Sequence, residues 1–290
     1  MNTNLFRTCV AVLGGLCLAA GLHAQTPRIN FPAASPNATV TQRVGLTDIR
    51  IEYNRPGAKG RKVFGGLVPY DHVWRTGANT ATKISFSTPV KLNGTEIPAG
   101  TYELFTIPGT SEWTIIIHKN MSQWGAYAYD EKNDVARIKA RPIALPHPVE
   151  TLAIGVNDLR DESATLIIAW EKVRVDVPLT VDVKSTLVPQ IEAVMAAGGD
   201  KLPYANAAMY YLENDLDLKK AAAWMDAAIA AQPDAFYLVY RKALILEKMG
   251  DKAGAIATAQ KSMEAANQAP SQALKEEYVG LNQALIARLR

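Results

Sequence analysis

A chain of 290 residues with 48% apolar and 20% charged side chains is long enough for two domains with cores of their own, and its balance excludes a disordered polymer. Its 31 basic and 28 acidic residues leave a net charge of +3, too small a field to make nucleic acid the main partner. Both cysteines, Cys9 and Cys17, lie within the first 24 residues, so the remainder holds no disulfide, thiol nucleophile or cysteine metal ligand.

Those first 24 residues carry one charged side chain, Arg7, followed by an uncharged run from Cys9 to Leu22 and the boundary Leu22-His23-Ala24-Gln25. A basic start, a short apolar stretch and a small residue before a polar one predict a secretory signal peptide, residues 1–24. The apolar run is 14 residues, short of the about 20 that cross a bilayer. Leu16 stands before Cys17 where a lipid-anchor site wants a small residue, so the expected mature protein begins at Gln25, in the periplasm or outside the cell. Losing Arg7 leaves 30 basic against 28 acidic residues, a net charge of +2. No later segment is apolar enough to span a membrane.

From Thr39 to Val183 the pattern is that of strands. Period-two alternation predicts them at 39–44, 46–53, 83–87, 101–107, 112–118, 135–139, 151–156, 164–170 and 173–183. Pro56-Gly57, Asn93-Gly94, Pro98-Ala99-Gly100, Pro108-Gly109 and Asn157-Asp158 supply the turns between them, and Asn93-Gly94 reads as a tight hairpin. About nine short strands with few helices predict an all-β sandwich or jelly-roll-like domain. Ile115-Ile116-Ile117 and Leu166-Ile167-Ile168 are the unbroken apolar runs of central strands covered on both faces.

Between the second and third of these strands lies the densest stretch of the chain, Arg55 to Thr82, too long for a simple hairpin loop. Arg55, Lys59, Arg61 and Lys62 put four cations within eight residues, and Tyr70, Trp74, Arg75 and Asn79 follow. Guanidinium forks beside an indole suit a carboxylate, a phosphate or an acidic sugar. The same residues also suit a purely structural loop, with Trp74 plugging the core, Arg75 bonding carbonyls and Asn79 taking a positive φ. Arg55, Arg61, Tyr70, Trp74, Arg75 and Asn79 are the candidate ligand-binding residues.

Further along, Trp124, Tyr127, Tyr129 and Asp130 form an aromatic loop, in which Tyr127 and Tyr129 share a face if the chain is extended. His72, His118 and His147 are not at metal-ligand spacing with one another, and neither a nucleophile elbow nor a phosphate loop is present, so no metal, cofactor or catalytic residue is assigned. Residues 185–202 read as a joint, with a helix capped by Ser185 or Thr186 and ended by Gly198-Gly199. Beyond Pro203 the composition turns to Ala, Leu, Met, Glu and Lys at helical spacing. A repeat at an offset of 34 aligns Asp217 with Asp251, Ala221 with Ala255 and Ala228 with Ser262. It resembles the tetratricopeptide pattern, with Leu216 standing where the second copy has Gly250. A last helix, Gln272 to Leu289, starts at Ser271 and caps the array.

Several runs carry a wider likeness: Arg55-Pro56, Lys59-Gly60-Arg61, Val63-Phe64-Gly65-Gly66-Leu67-Val68-Pro69-Tyr70, Val73 to Asn79, Ala81-Thr82, Ile97 to Pro108 and Trp170-Glu171. Together they resemble the secreted bacterial family catalogued as domain of unknown function 2911, over about Arg28 to Lys184. The resemblance implies an envelope protein, commonly of the Bacteroidota type, with an all-β domain and often a helical extension. It implies no activity.

The expected domains are therefore a signal peptide at 1–24, a β domain at 25–184, a linking helix at 185–202 and a tetratricopeptide-like all-α domain at 203–290. The leading functional expectation is a non-catalytic binding or scaffold protein, binding a small anionic or carbohydrate ligand through the loops and a protein partner through the helices. The alternatives are an envelope hydrolase using Tyr70, His118 or Glu171 as acid-base groups, and a purely structural envelope protein.

Overall fold

Alternation of apolar and polar residues folds the first part of the chain into two antiparallel sheets that share one core. The structure, a computed structural model, describes residues 30–119, 122–199 and 201–290; the expected signal peptide lies outside them. The strands run β1 (Asn37–Val44), β2 (Thr47–Asn54), β3 (Thr82–Phe86), β4 (Val90–Leu92), β5 (Thr95–Ile97), β6 (Gly100–Ile107), β7 (Trp113–Lys119), β8 (Asp134–Ala140), β9 (Pro142–Asn157) and β10 (Ser163–Val181). The first sheet has the order β1-β2-β3-β6-β7-β8 and the second β5-β4-β10-β9. In β2 the inward set Ile49, Ile51 and Tyr53 is buried, and Arg50 on the other face is exposed. Ile84, Leu104, Ile115 and Ile117 of the first sheet meet Leu92, Leu152, Ile154, Leu166, Ile168 and Val177 of the second in that core. At about 1.5–3 kcal/mol for each such side chain buried, this layer is the main favourable term holding the sheets face to face. The hairpin at Asn93-Gly94 is as expected: both residues have positive φ, 45° and 81°, as a two-residue turn between antiparallel strands requires.

Two expectations need correcting. Residues 164–170 and 173–183 are not separate strands; β10 runs through both, and the chain absorbs a register shift at Glu171, whose φ is +52°. Its partner β9 begins at Pro142, nine residues before the expected strand at Thr151. Pro142, Pro146 and Pro148 hid that arm, because proline breaks a central ladder; β9 is the outermost strand of its sheet, where a missing N–H costs no pairing.

The helices are α1 (Lys184–Ala197), α2 (Tyr204–Glu213), α3 (Leu218–Ala231), α4 (Phe236–Lys248), α5 (Lys252–Ala266) and α6 (Gln272–Leu289). Gly198 and Gly199 end α1 at φ of 70° and 140°, and Ser271 Oγ accepts from the Leu274 N–H at the start of α6. Neither Ser185 nor Thr186 caps α1; its N-cap is Val183, and Asp182 just before it accepts from the Ser185 N–H at 3.0 Å. Asp217 and Asp251 cap α3 and α5, and Ala221 and Ala255, one turn later in each, are fully buried. Small side chains of this kind let successive helices pack closely, α2 on α3, α3 on α4, α4 on α5 and α5 on α6. A buried polar chain ties the end together: Asn282 Nδ2 donates to Ser262 Oγ at 3.0 Å, and Ser262 Oγ donates to the Phe236 carbonyl at 2.9 Å. Leu187 of α1 and Tyr210 of α2 pack against the sandwich core, so the helices are seated directly on the β part. None of the helices among the described residues is long and apolar enough to cross a membrane.

Candidate functional site

The Arg55–Thr82 segment wraps one end of the sandwich. Its candidate residues fall into three places. Arg55 and Arg61 lie at the seam with β9. Arg55 Nε donates to the Leu152 carbonyl at 2.9 Å, and Arg61 donates to the Ala58 and Gly57 carbonyls at 2.9 and 2.8 Å. Trp74 enters the core, where its indole stacks on Trp170 at 5.8 Å and meets Phe64 and Trp113 edge-on. The Trp74 N–H donates to the Gly77 carbonyl at 3.1 Å, so both the face and the polar edge of the ring are occupied internally. Tyr70 lies over Gly65, where a Cβ would come within 2.5 Å of its ring; only glycine leaves that seat open. Trp74 exchanges both backbone bonds with Thr106 of β6, so Val73 and Arg75 leave the chain on the opposite face. Arg75 is half-buried, and its Nε has no hydrogen-bond partner among the described residues. Asn79 has φ +58°, its Nδ2 donates to Asn54 Oδ1 at 3.3 Å, and its carbonyl accepts from the Gly125 N–H at 3.0 Å.

That last bond leads to a second set of residues, on the face of the first sheet turned away from the core. Register aligns one cross-strand row there: Thr39, Glu52, Lys83, Glu103, His118 and Asp134, each opposite the next. Acid and base alternate from Glu52 onward, the favourable arrangement for directly opposed side chains. One end of the row is open and the other is sealed. Thr39 is exposed, Glu52 and Lys83 are half-buried, and Glu103 and His118 are fully buried. The seal is the loop 122–130. Ala126 and Tyr129 of this loop pack on Ala81, Phe105 and Ile116, which is why the central isoleucine run is apolar on both faces.

Glu103 holds this loop down. Its carboxylate accepts from the Gln123 backbone N–H at 2.7 Å and from Gln123 Nε2 at 2.9 Å, and His118 Nδ1 lies 3.6 Å from its second oxygen. The imidazole nitrogens face the Lys119 carbonyl at 2.7 Å and the Asp130 carbonyl at 3.3 Å. Tyr129 stands beside His118 and donates to Asp134 Oδ2 at 2.6 Å; burial and that carboxylate hold its phenol well above the usual range. A short ladder straps the loop to 79–81. The Ala81 N–H donates to the Gln123 carbonyl, Trp124 bridges Thr80, and the Gly125 N–H donates to Asn79.

Pinned in this way, the loop turns Trp124 and Tyr127 outward, 64% and 88% exposed. The Tyr127 ring lies over Gly125, where a Cβ would come within 2.6 Å of it. The expected shared face of Tyr127 and Tyr129 does not form, because the loop is turned rather than extended and Tyr129 is inserted against Phe105 and His118. Beside the ladder lies a cleft of about 110 Å³, lined by Asn37, Glu52, Thr80, Lys83 and Gln123 among others. The amide of Gln123 is spent on Glu103, and its Oε1 is buried with no partner among the described residues. Among the described residues Lys83 has neither an ion pair nor a side-chain hydrogen bond. Of the expected site residues, then, Asn79 is tied to the loop 122–130 through the ladder, whereas Arg55, Arg61 and Trp74 are bonded elsewhere. Glu103, Gln123 and Lys83 were not read from sequence; the one signal was a lone acid in the apolar strand Tyr102 to Ile107. His118 and Glu171 sit in different sheets. Among the described residues no cluster of three or more His, Cys, Asp or Glu side chains is arranged to hold a metal.

The fold and this surface define a two-sheet β-sandwich protein with a helical extension and a strapped aromatic loop over its first sheet. Over residues 35–179, half of the chain, it matches the family described as "Protein of unknown function (DUF2911)", and it belongs to that family. Searches of the curated proteins and of the solved structures found nothing that matches it.

Proposed function

We propose that this is a non-catalytic binding protein of the bacterial envelope, exported by residues 1–24 to the periplasm or beyond. Its β part, residues 25–184, takes a small carbohydrate or anionic ligand beside the strapped loop, and its tetratricopeptide-like helices dock a protein partner. The observation that carries this reading is the aromatic pair Trp124 and Tyr127, large and exposed on a loop whose backbone is strapped to the sheet. Exposed aromatic faces on a fixed loop suit the apolar face of a sugar ring or a cation, and their display to water is otherwise a cost. By contrast, the buried Glu103–His118 pair has its bonds taken by the loop backbone, which suits a strut better than an acid-base couple. In the same reading the Arg55–Asn79 segment frames the site, with Asn79 on the ladder and Arg75 supplying a guanidinium for an anionic group.

The test is calorimetric titration of the protein from Gln25 to Arg290 with neutral trisaccharides, an oligomer of uronic acid, and phosphate, followed by chromatography of the recovered ligand. The expected result is saturable binding, abolished in Trp124→Ala, with the ligand recovered intact. Cleaved ligand would establish the hydrolase reading instead, and no binding by any member of the panel would overturn the proposal.

A further inference from the structure

The sandwich has four strands at sheet edges, β1 and β8 in the first sheet and β5 and β9 in the second. An edge strand offers unpaired N–H and C=O groups to any other strand, and three of these four are guarded. β5 has only three residues. β8 carries Asp134, Arg137 and Lys139 in seven residues. β9 is guarded twice over. Pro142, Pro146 and Pro148 lie in its first half. Beyond them the Glu150 carbonyl accepts from the Ala58 N–H, the Leu152 N–H donates to the Pro56 carbonyl, and the Tyr53 hydroxyl bonds both the N–H and the carbonyl of Ile154.

β1 has none of these protections. It runs eight residues, Asn37 to Val44, without proline, and its threonines and valines are strong strand formers. Its single charge, Arg43, is drawn back onto Asp48 of β2 by two bonds of 2.8 Å. Among the described residues β1 pairs with β2 alone. The two-residue turn Gly45-Leu46 makes Val44 and Thr47 a bonded pair, so Ala38, Val40, Gln42 and Val44 spend their backbone groups on β2. Asn37, Thr39, Thr41 and Arg43 turn theirs to the free edge, and all four residues are exposed.

What fits such an edge is another strand of the same kind, and a second copy of the chain supplies it. Antiparallel pairing about a two-fold axis at Val40 sets Thr39 opposite Thr41 and Asn37 opposite Arg43, pairs that each exchange two backbone bonds. On the half-buried face it sets Val40 beside Val40. Arg43 then meets a neutral amide, and no like charges face each other. An axis at Thr41 would instead set Val40 against Gln42.

We propose that this protein forms a two-fold dimer by antiparallel pairing of β1 with β1 of a second copy, centred on Val40 and joining two six-stranded sheets into one. A contact one strand long is small, so the dimer is concentration-dependent. Sedimentation equilibrium of the chain from Gln25 to Arg290, up to millimolar concentration, compares the parent with T39K/T41K, T39K/T41E and Thr41→Pro. In the Val40-centred pair each residue 39 faces a residue 41, so two lysines repel across the axis and a lysine and a glutamate attract. Thr41→Pro removes an N–H that β2 does not use. The parent should dimerise, T39K/T41K should do so about tenfold or more weakly, and Thr41→Pro should stay monomeric. T39K/T41E should recover the strength of the parent. Circular dichroism should show every variant folded; if Thr41→Pro unfolds, the two charge variants, at exposed positions, decide. A parent that stays monomeric at millimolar concentration, or a dimer that T39K/T41K leaves as tight as before, overturns the proposal. A T39K/T41E protein no tighter than T39K/T41K overturns the register at Val40.

Discussion

Replacing Glu103 with alanine should release the loop 122–130 and destabilise the β part. The carboxylate is fully buried and accepts two bonds from Gln123, at 2.7 and 2.9 Å, with the His118 ring 3.6 Å away. A hydrogen bond to a charged group contributes about 1.5–3 kcal/mol, but both bonds belong to one residue and do not simply add. Stranding buried donors costs about 1–3 kcal/mol, more where the lost acceptor is charged, and about 3 kcal/mol is the expectation here. For a unit of this size it corresponds to a fall in Tm of roughly 10 °C. Asp48→Asn supplies the contrast. It breaks the Arg43–Asp48 pair of the same sheet, whose side chains are 65% and 51% exposed, and such pairs are worth about 0–1 kcal/mol. Differential scanning calorimetry compares the two variants, and limited trypsin digestion reports the loop through cleavage at Lys119 and Lys132. Glu103→Ala should be cut there faster than the parent. If it melts within a degree or two of Asp48→Asn and its loop resists trypsin as the parent does, Glu103 does not hold the loop.

Tyr211 supplies a pH dependence in the helical part. Burial, and then the bond it donates to Glu192 at 2.5 Å, push its phenol from 10 up to about 12. The native state holds this proton more tightly, so the stabilisation is complete below pH 10 and is lost as pH rises from 10 to 12. Melts across that window should show a drop in the parent that is smaller in Tyr211→Phe; an equal drop in both would refute the assignment. Arg75→Lys should melt within about 1 kcal/mol of the parent, because its unpaired Nε gives the fold nothing to lose, and a loss of several degrees would show that the guanidinium carries bonds the fold needs. N-terminal sequencing of the exported protein should begin at Gln25; an acylated Cys17 would refute the expected processing.

Much of the fold was legible because local rules and global packing agree along most of the chain. The hairpin at Asn93-Gly94 needed two residues tolerant of positive φ, and the helix from Gln272 to Leu289 needed a cap at Ser271; both are written in single side chains. The long arms of β9 and β10 were not legible. Proline counts against a strand only when the strand has neighbours on both sides, and nothing local to Pro142, Pro146 or Pro148 says that β9 stands at an edge. The cross-strand row from Thr39 to Asp134 was hidden for a related reason. Neighbours in the row are 13 to 31 positions apart in different strands, and only the register brings them together.

The candidate site divides along the same line. Chemistry that suits an anion also suits a backbone carbonyl, and a sequence shows the kind of donor without showing which acceptor lies in reach. Arg55 and Arg61 are conspicuous as a basic cluster, and in the fold their N–H groups meet the carbonyls of residues 152, 58 and 57. The Trp74–Asn79 run is equally conspicuous because its backbone is unusual: Thr76 and Asn79 both take positive φ, at 52° and 58°, while Trp74 is wedged among three other aromatic rings. The groups that hold the loop are ordinary ones, a glutamate on a strand and a glutamine in a loop. Gln123 becomes informative only once Glu103 is seen to accept from both its backbone and its side-chain amide, for those two bonds fix the loop on the sheet.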